Sequence, residues 1–188
     1  MRGAATREQI VEAADRLFYQ RGYEHTSFAD IAGTVGLSRG NFYYHFKSKD
    51  AILDAVIEAR LANTRRTLEQ WETEQATPEG RILRFVEIVL TNGADIQQYG
   101  CPVGTLNTEL AKLDHAMRDQ AQQLFTLFRD WLREQFALLV PAEQADDLAM
   151  HVLAFSQGVA VLSQAFRDEE FVRREVDRMR GWLSAYVK

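Results

Sequence analysis

The sequence predicts an all-α fold with about nine helices. Apolar residues recur at spacings of three and four along almost the whole chain, as Ile82, Phe85 and Val89 illustrate. Capping residues precede many of these runs, and glycine or proline follows them, as helix boundaries require. Strand-like alternation, internal repeats and low-complexity segments are not seen in the sequence. A fold that contains a sheet is therefore not expected.

The composition is that of an ordinary globular chain. The 188 residues are 46% hydrophobic and 26% charged, which suits a packed core under a charged surface. Apolar runs fall short of the roughly 18 residues that a membrane span needs, and the N-terminus lacks the apolar region of a secretory signal. The single cysteine excludes an internal disulfide and suits a reducing compartment. We therefore expect a cytoplasmic protein without membrane association.

The first three helices are predicted from their boundary residues. Thr6 and Gln9 form a possible capping box, which predicts a first helix from Thr6 to Gln20, and Gly22 follows that helix as a stop signal. Two short helices come next, over residues 27–35 and 39–46. Ser27 and Asp30 can form a capping box at the start of the first, and Gly36 is a stop signal at its end. Ser38 can serve as the N-cap of the second. This is the layout of a helix-turn-helix.

The charge distribution around the second short helix favours contact with a polyanion. Residues 36–49 contain Arg39, Lys47 and Lys49 and no carboxylate. Residues 1–50 hold seven Lys/Arg and six Asp/Glu, a balance of +1, whereas residues 51–188 hold fifteen and twenty-one, a balance of −6. A locally basic surface on an acidic chain can still bind DNA, because attraction to the phosphates depends on the electrostatic potential at that surface and not on the net charge of the chain.

This N-terminal stretch resembles the DNA-binding domain of the TetR/AcrR family of bacterial regulators. The resemblance covers about the first quarter of the chain and rests on Thr26, Ile31, Ala32, Gly36, Leu37, Ser38, Gly40, Phe42, Tyr43, His45, Phe46, Lys47, Lys49 and Leu53. Two positions depart from the family pattern. Asn41 stands where threonine is common, and Tyr44 where histidine or another polar residue is common. We expect both to affect which operator is bound.

The predicted DNA-binding residues combine side-chain chemistry with this resemblance. Asn41 can pair with adenine and Arg39 with guanine through two hydrogen bonds each. The resemblance implies DNA contacts by the remaining members of the set, which are Thr26, Ser27, Ser38, Gly40, Tyr43, Tyr44, His45, Lys47 and Lys49. For Tyr43, partial burial in the core is the alternative. Phe42 and Phe46 are assigned to the core.

The remaining helices follow from the same periodicity. Ser48 can cap a connector helix over residues 49–71, and Thr77 with Pro78 opens the next helix. That helix weakens at Gly93, and an irregular stretch surrounds Cys101. Four more helices are predicted over residues 106–113, 114–139, 142–167 and 169–186. The predicted domains are a helix-turn-helix domain at 1–48, the connector at 49–75, and an effector-binding and dimerisation domain at 76–188.

The predicted helix at 142–167 has a bulky apolar stripe and a stripe of small residues. Both stripes can be buried within one chain, but the TetR/AcrR resemblance implies a homodimer through the last two helices. The predicted dimer interface consists of Ala149, Val152, Ser156, Val159, Ala160, Ser163, Met179, Trp182 and Leu183. A two-fold dimer would place two reading helices on a palindromic operator.

The C-terminal part also carries the expected sensing residues. The resemblance implies an effector cavity, for which the aromatic-rich candidates are Trp71, Phe85, Val89, Tyr99, Cys101, Phe125, Phe128, Trp131 and Phe155. Ordinary core packing is the alternative for each. Residues 100–104 read Gly-Cys-Pro-Val-Gly, which resembles a branch of the family with a Gly-Cys-x-x-Gly element in its sensing domain. Cys101 is therefore either a redox or electrophile sensor or a small buried hydrophobe.

The sequence favours a regulator over other functions. The four histidines are scattered, paired-cysteine spacing is absent, and an isolated Asp147–His151 pair is a weak metal signal. No enzyme activity, metal or cofactor is expected. The predicted function is a DNA-binding transcriptional regulator, with a repressor as the simpler default, whose partners are an operator, a small-molecule effector and a second copy. The alternatives are a helical small-molecule-binding or adaptor protein and, more remotely, a small helical enzyme.

Overall fold

The computed structural model describes residues 2–186, without the side chains of residues 2–4 and 39. Over these residues the chain is all-α, which confirms the predicted fold class. Eleven helices follow one another in this described part: α1 Arg2–Arg21, α2 Phe28–Thr34, α3 Arg39–His45, α4 Lys49–Glu74, α5 Pro78–Val86, α6 Ile88–Thr91, α7 Gly93–Tyr99, α8 Pro102–Lys112, α9 Arg118–Ala137, α10 Ala142–Phe166 and α11 Glu169–Ser184.

Most helix boundaries use the residues that the sequence indicated. The Ser27 hydroxyl accepts from the Asp30 N–H while the Asp30 carboxylate accepts from the Ser27 N–H, so the predicted capping box is formed. Ser38 caps α3, and Thr77 with Pro78 opens α5. These contacts satisfy N–H groups that have no partner within the helix.

Two glycines close helices in the left-handed backbone region. Gly22 after α1 has a φ of 87° and Gly36 after α2 has a φ of 66°. A side chain strains this conformation, so glycine is the residue that fits.

Several boundaries differ from the prediction. Helix α1 begins at Arg2, so Thr6 lies inside the helix and its predicted capping box is wrong. After Gly93 the chain forms a further helix, α7, which ends where Gly100 adopts a φ of 83°. Helix α8 begins at Pro102, within the stretch around Cys101 that the sequence predicted to be irregular. Helix α9 begins at Arg118, because Asp114 takes a φ of 48° and breaks the helical path before it.

The chain divides into two compact units. The first comprises residues 1–63 and 105–123, and the second comprises residues 64–104 and 124–188. In the first unit, α1 to α3, the start of α4 and the end of α8 supply the fully enclosed large side chains, which are Ile10, Ile31, Phe42, Ile52, Leu53, Ile57 and Leu110. The functional domain ranges predicted from the sequence stay a prediction.

The second unit is built around α10. This helix packs against α6, α7 and α11. Its buried face carries small residues, among them Ala149, Ser156, Ala160 and Ser163, which allow neighbouring backbones to approach closely. Phe136 and Leu183 lie fully buried in the same core.

Helix α10 is also the one described helix that is long and apolar enough to cross a membrane by length and composition. Core helices of globular proteins satisfy the same criterion. One face of α10 packs within the second unit, and its exposed face carries apolar residues as well.

Candidate nucleic-acid interface

Helix α3 is anchored to the first unit by two phenylalanines one helical turn apart. Phe42 is completely buried, and Phe46 is 3% exposed. The Phe28 ring of α2 packs edge-on against Phe42, with ring centroids 4.6 Å apart. Burial of two aromatic side chains on one face fixes which face of α3 points outward.

The outward face of α3 presents polar and aromatic side chains. Asn41, Ser38 and Gly40 are exposed. Tyr44 is 77% exposed, whereas Tyr43 is 45% exposed and rests against Phe28 with ring centroids 4.9 Å apart. The Tyr43 ring is therefore partly packed and partly accessible, and its contact with DNA stays a prediction. The set provides hydrogen-bonding groups of the kind that reach base edges in the major groove.

Two further predicted members of this surface are His45 and Arg39. His45 is half-buried, and its ring contacts Tyr44 at a centroid distance of 5.2 Å. The Arg39 side chain lies outside the described residues, although its backbone forms the first residue of α3.

The lysines that flank α3 are already held by the backbone. Lys47 donates its ammonium to the Tyr43 carbonyl. Lys49 Nζ donates to the Tyr23 carbonyl at 3.0 Å and lies 4.1 Å from the centre of the Tyr23 ring. An ammonium has three donors, so each lysine keeps hydrogen-bonding capacity for a phosphate while its position is restricted.

The predicted contact by Thr26 is corrected by its burial. Thr26 is 0% exposed, and its hydroxyl donates to the Gly22 carbonyl at 2.7 Å. Its side chain therefore stabilises the turn between α1 and α2 and cannot reach a phosphate. Family resemblance identified the residue type but not its environment.

Ser27 is exposed, but its side chain serves the cap of α2. Its Oγ donates to Asp30 Oδ2 at 2.6 Å and accepts from the Asp30 N–H at 3.1 Å. The side-chain hydrogen bond from Ser27 holds the pKa of the Asp30 carboxyl below its ordinary value. A phosphate contact by Ser27 would have to share a hydroxyl that already has two partners.

Sequence reasoning missed a polar cluster beside the lysines. Tyr23 is 4% exposed, its hydroxyl donates to Asp50, and His115 Nε2 lies 3.3 Å from the same oxygen. Burial, followed by the hydrogen bond to Asp50, raises the pKa of the Tyr23 hydroxyl well above its ordinary value. His115 is 92 positions from Tyr23 along the chain, and no motif in the sequence connects them.

Most of the predicted effector-pocket residues lie in the hydrophobic core of the second unit. Phe85, Val89 and Trp131 are buried there, and partly buried Trp71, Phe125, Phe128 and Phe155 pack against them. Ring centroids of Trp71 and Trp131 are 5.8 Å apart, and those of Phe85 and Phe128 are 5.2 Å apart. Tyr99 and Cys101 are half-buried.

Cys101 lies directly before α8 and contacts two hydrogen-bond donors. The Gly104 N–H and the Gln157 side-chain amide both lie 3.4 Å from its sulfur. A Cβ at Gly104 would lie 2.3 Å from Gln157 Oε1, so glycine leaves room for this amide.

The residues predicted for a dimer interface are mainly inside the chain. Ala149, Val152, Ser156, Val159, Ala160, Ser163, Met179 and Leu183 are all buried, and Trp182 is half-buried with its ring 4.7 Å from that of His151. The small stripe of α10 therefore packs within one subunit. The opposite face is exposed and is also apolar, with Met150, Ala154, Gly158, Val161, Leu162 and Ala165.

One carboxylate of α10, that of Asp146, takes part in an ion pair. Both oxygens of Asp146 accept from the Arg129 guanidinium. These hydrogen bonds hold the pKa of Asp146 below its ordinary value. Within residues 2–186, apart from the undescribed side chains, no group of three His, Cys, Asp or Glu residues is arranged to hold a metal ion.

The fold and the exposed face of α3 define a class of protein. The second helix of this helix-turn-helix is fixed by buried aromatic side chains and exposes asparagine and tyrosine, which is the arrangement of a DNA-binding domain. A larger helical unit accompanies it. Residues 10–56 match the family model described as bacterial regulatory proteins, tetR family. Residues 82–177 match the C-terminal domain of the LmrA/YxaF-like transcriptional regulators. The chain belongs to the TetR family and is a DNA-binding transcription regulator, not an enzyme.

Relatives and solved structures agree with this assignment. An uncharacterised helix-turn-helix regulator from the lacX 3′ region of Lactococcus lactis is 28% identical, over 93% of this chain and 91% of its own length. The transcriptional repressor DhaR of Mycobacterium sp. strain GP1 is 27% identical, over 79% of this chain and 74% of its own. A TetR-family regulator from Cytophaga hutchinsonii has the same fold, with a TM-score of 0.85 at 17% identity over 98% of this chain and 96% of its own.

Proposed function

We propose that the protein is a cytoplasmic, homodimeric repressor that binds a palindromic operator and leaves it in response to a small molecule. The proposal of DNA binding rests on the exposed face of α3. This face presents Asn41 and Tyr44, while Phe42 of the same helix is buried. The similarity to the repressor DhaR supports repression. Effector response is supported by the aromatic core of the second unit.

Each contact in the proposed operator complex has a distinct role. Asn41 can pair with adenine through two hydrogen bonds, which specifies sequence. Lys47 and Lys49 contact phosphates, which contributes affinity and salt dependence without specifying bases. Tyr44 packs its exposed ring on sugar or on a thymine methyl group. Because two copies bind together, the half-sites would lie about 34–36 Å apart or a multiple of that distance.

Replacement of Asn41 by alanine should relax base preference. Asn41 is exposed, so the change costs no core packing. A lost bidentate base contact removes about 1–3 kcal/mol of discrimination at one base pair. The measurement begins with operator selection from a randomised DNA library by the wild-type protein. Fluorescence anisotropy then ranks the selected site against single-base variants for both proteins.

Lys49→Ala is the contrasting variant for the same assay. It should weaken binding to every sequence and lower the slope of log affinity against log salt by about one. Asn41→Ala should leave that slope unchanged. An unaltered ranking of sites for Asn41→Ala would remove this residue from base recognition, and selection of no DNA by the wild-type protein would contradict the proposed function.

The proposed homodimer uses the exposed apolar face of α10. Met150, Ala154, Gly158 and Val161 follow one another at spacings of three and four, so they form one continuous stripe. Small residues within such a stripe permit close approach of a second helix. A two-fold axis at this stripe would bring identical faces together. This assignment replaces the buried residues that the sequence suggested.

The proposed effector response has two routes. A small apolar molecule could occupy space among the partly buried aromatics Trp71, Phe125, Phe128 and Phe155. Alternatively, the thiol of half-buried Cys101, which lies near the Gly104 N–H, could add to a quinone. A C–S bond then forms as the quinone C=C π bond opens, and the thiol proton passes to the quinone oxygen. Either event favours release if it stabilises the non-binding arrangement by a few kcal/mol.

Cys101→Ser separates the two routes. The sequence has one cysteine, so this substitution removes every thiol from the chain. If Cys101 is the sensor, a quinone that releases the wild-type protein from its operator should leave the variant bound. Anisotropy titration with the quinone measures release, and intact-mass spectrometry counts adducts. Full release of the Cys101→Ser protein by the quinone would exclude the cysteine route and leave non-covalent binding.

A further inference from the structure

A carboxylate from α8 binds the turn that follows α1. Glu109 Oε2 accepts from the Tyr23 N–H at 2.9 Å, and Glu109 Oε1 accepts from the Glu24 N–H at 2.9 Å. Glu109 is 86 positions from Tyr23 along the chain, and both belong to the first compact unit. This pair of bonds connects a segment before α9 to the DNA-binding helices.

The turn has the backbone conformation of an anion-binding nest. Gly22 has a φ of 87°, and the amide groups of the next two residues donate to the same carboxylate. Successive N–H groups beside a left-handed residue form such a concavity. A Cβ on Gly22 would lie 2.8 Å from Glu109 Oε1, so glycine also leaves room for the carboxylate.

The same turn holds the elements of the proposed DNA surface. The Gly22 carbonyl accepts from the Thr26 hydroxyl at 2.7 Å, directly before the cap of α2. The Tyr23 carbonyl accepts from Lys49 Nζ at 3.0 Å, and the Tyr23 ring lies under the same ammonium at 4.1 Å. The orientation of the turn therefore determines where the Lys49 charge and the start of α2 lie.

We propose that Glu109 is a positioning residue for DNA binding, whose carboxylate in the 22–24 nest fixes the turn that places Lys49. Glu109 acts through hydrogen bonds to backbone and does not touch DNA. The inference rests on DNA binding by the helix-turn-helix. It assigns a role in that binding to a residue outside the N-terminal motif.

The sign of the change in DNA affinity on removal of Glu109 distinguishes a positioning role from a purely electrostatic one. Removing one carboxylate from an acidic chain reduces repulsion of phosphates, so charge alone predicts tighter DNA binding. Loss of two charge-assisted hydrogen bonds at the turn predicts weaker binding, because Lys49 is no longer held. The two explanations therefore predict opposite signs.

The test compares Glu109→Ala and Glu109→Gln with the control Asp15→Ala. Asp15 accepts from Arg60 Nε at 2.7 Å within the same unit, so its removal changes the charge equally without touching the turn. Operator affinity is measured by anisotropy on the site selected by the wild-type protein. Amide hydrogen exchange at Tyr23 and Glu24 is followed by NMR in DNA-free protein.

We expect Glu109→Ala to bind about tenfold more weakly, a change that corresponds to about 1.4 kcal/mol. Glu109→Gln should lie between it and the wild type, because one carbonyl oxygen still accepts. Exchange at the two amides should accelerate only in the Glu109 variants, and Asp15→Ala should bind at least as tightly as the wild type. Equal or tighter binding by Glu109→Ala would overturn the inference. If the wild-type protein binds no DNA, the proposed function fails by that result alone.

Discussion

Phe42→Ala should unfold the DNA-binding helices at temperatures where the wild-type protein is stable. Phe42 is completely buried and packs against the Phe28 ring at 4.6 Å. Large-to-small substitution at such a site costs about 3–5 kcal/mol, through lost burial and the cavity left behind. This is a large part of the roughly 5–15 kcal/mol that stabilise a typical domain. Circular dichroism during thermal and urea unfolding measures the loss.

The matched control for this prediction is Tyr44→Ala on the same helix. Tyr44 is 77% exposed, so its truncation should leave thermal stability nearly unchanged while weakening operator binding. Phe42→Ala should lower stability and binding together. A stable Phe42→Ala protein would show that α3 is not anchored through this ring. A lowered melting temperature for Tyr44→Ala would show that its ring packs in solution.

Local signals in the sequence predicted the helix-turn-helix correctly because its determinants are close together. The capping box joins Ser27 to Asp30, and Ser38 caps the helix that it precedes. The exposed face follows from periodicity once Phe42 is assigned to the core. Thr26 was misplaced because the same residue type can contact phosphate or the backbone, and only its burial distinguishes the two.

Long-range features could not be predicted from such signals. Glu109 resembles any helical glutamate in the sequence, and its partners at the 22–24 turn appear only in the folded chain. Helix α10 presents a different difficulty. Periodicity predicted one bulky and one small stripe on this helix. The structure buries members of both stripes, and it exposes a further apolar stripe that the sequence did not indicate. The structure shows Ala149 inside and Val161 outside.

The second large effect is expected at this outer stripe, where Val161→Glu should convert the proposed homodimer to monomers. Val161 is 63% exposed in the single chain, so the substitution should cost the folded subunit little. An isologous interface uses the same patch twice, so one substitution introduces two carboxylates. An unpaired charge buried in an interface costs about 3–5 kcal/mol, enough to weaken dimerisation by more than about a hundredfold.

Operator binding should weaken when the dimer dissociates. A dimer that carries two linked DNA-binding helices binds about 10²–10⁴ times more tightly than a single copy. Leu138→Glu is the matched control, since Leu138 is 65% exposed and lies outside α10, between α9 and α10. Sedimentation velocity across micromolar concentrations measures assembly, and anisotropy with full palindromes and single half-sites measures binding. Val161→Glu should sediment as a monomer and bind both DNAs alike, while Leu138→Glu should prefer the palindrome. A Val161→Glu dimer of unchanged affinity would mean that the exposed stripe of α10 is not where two copies meet.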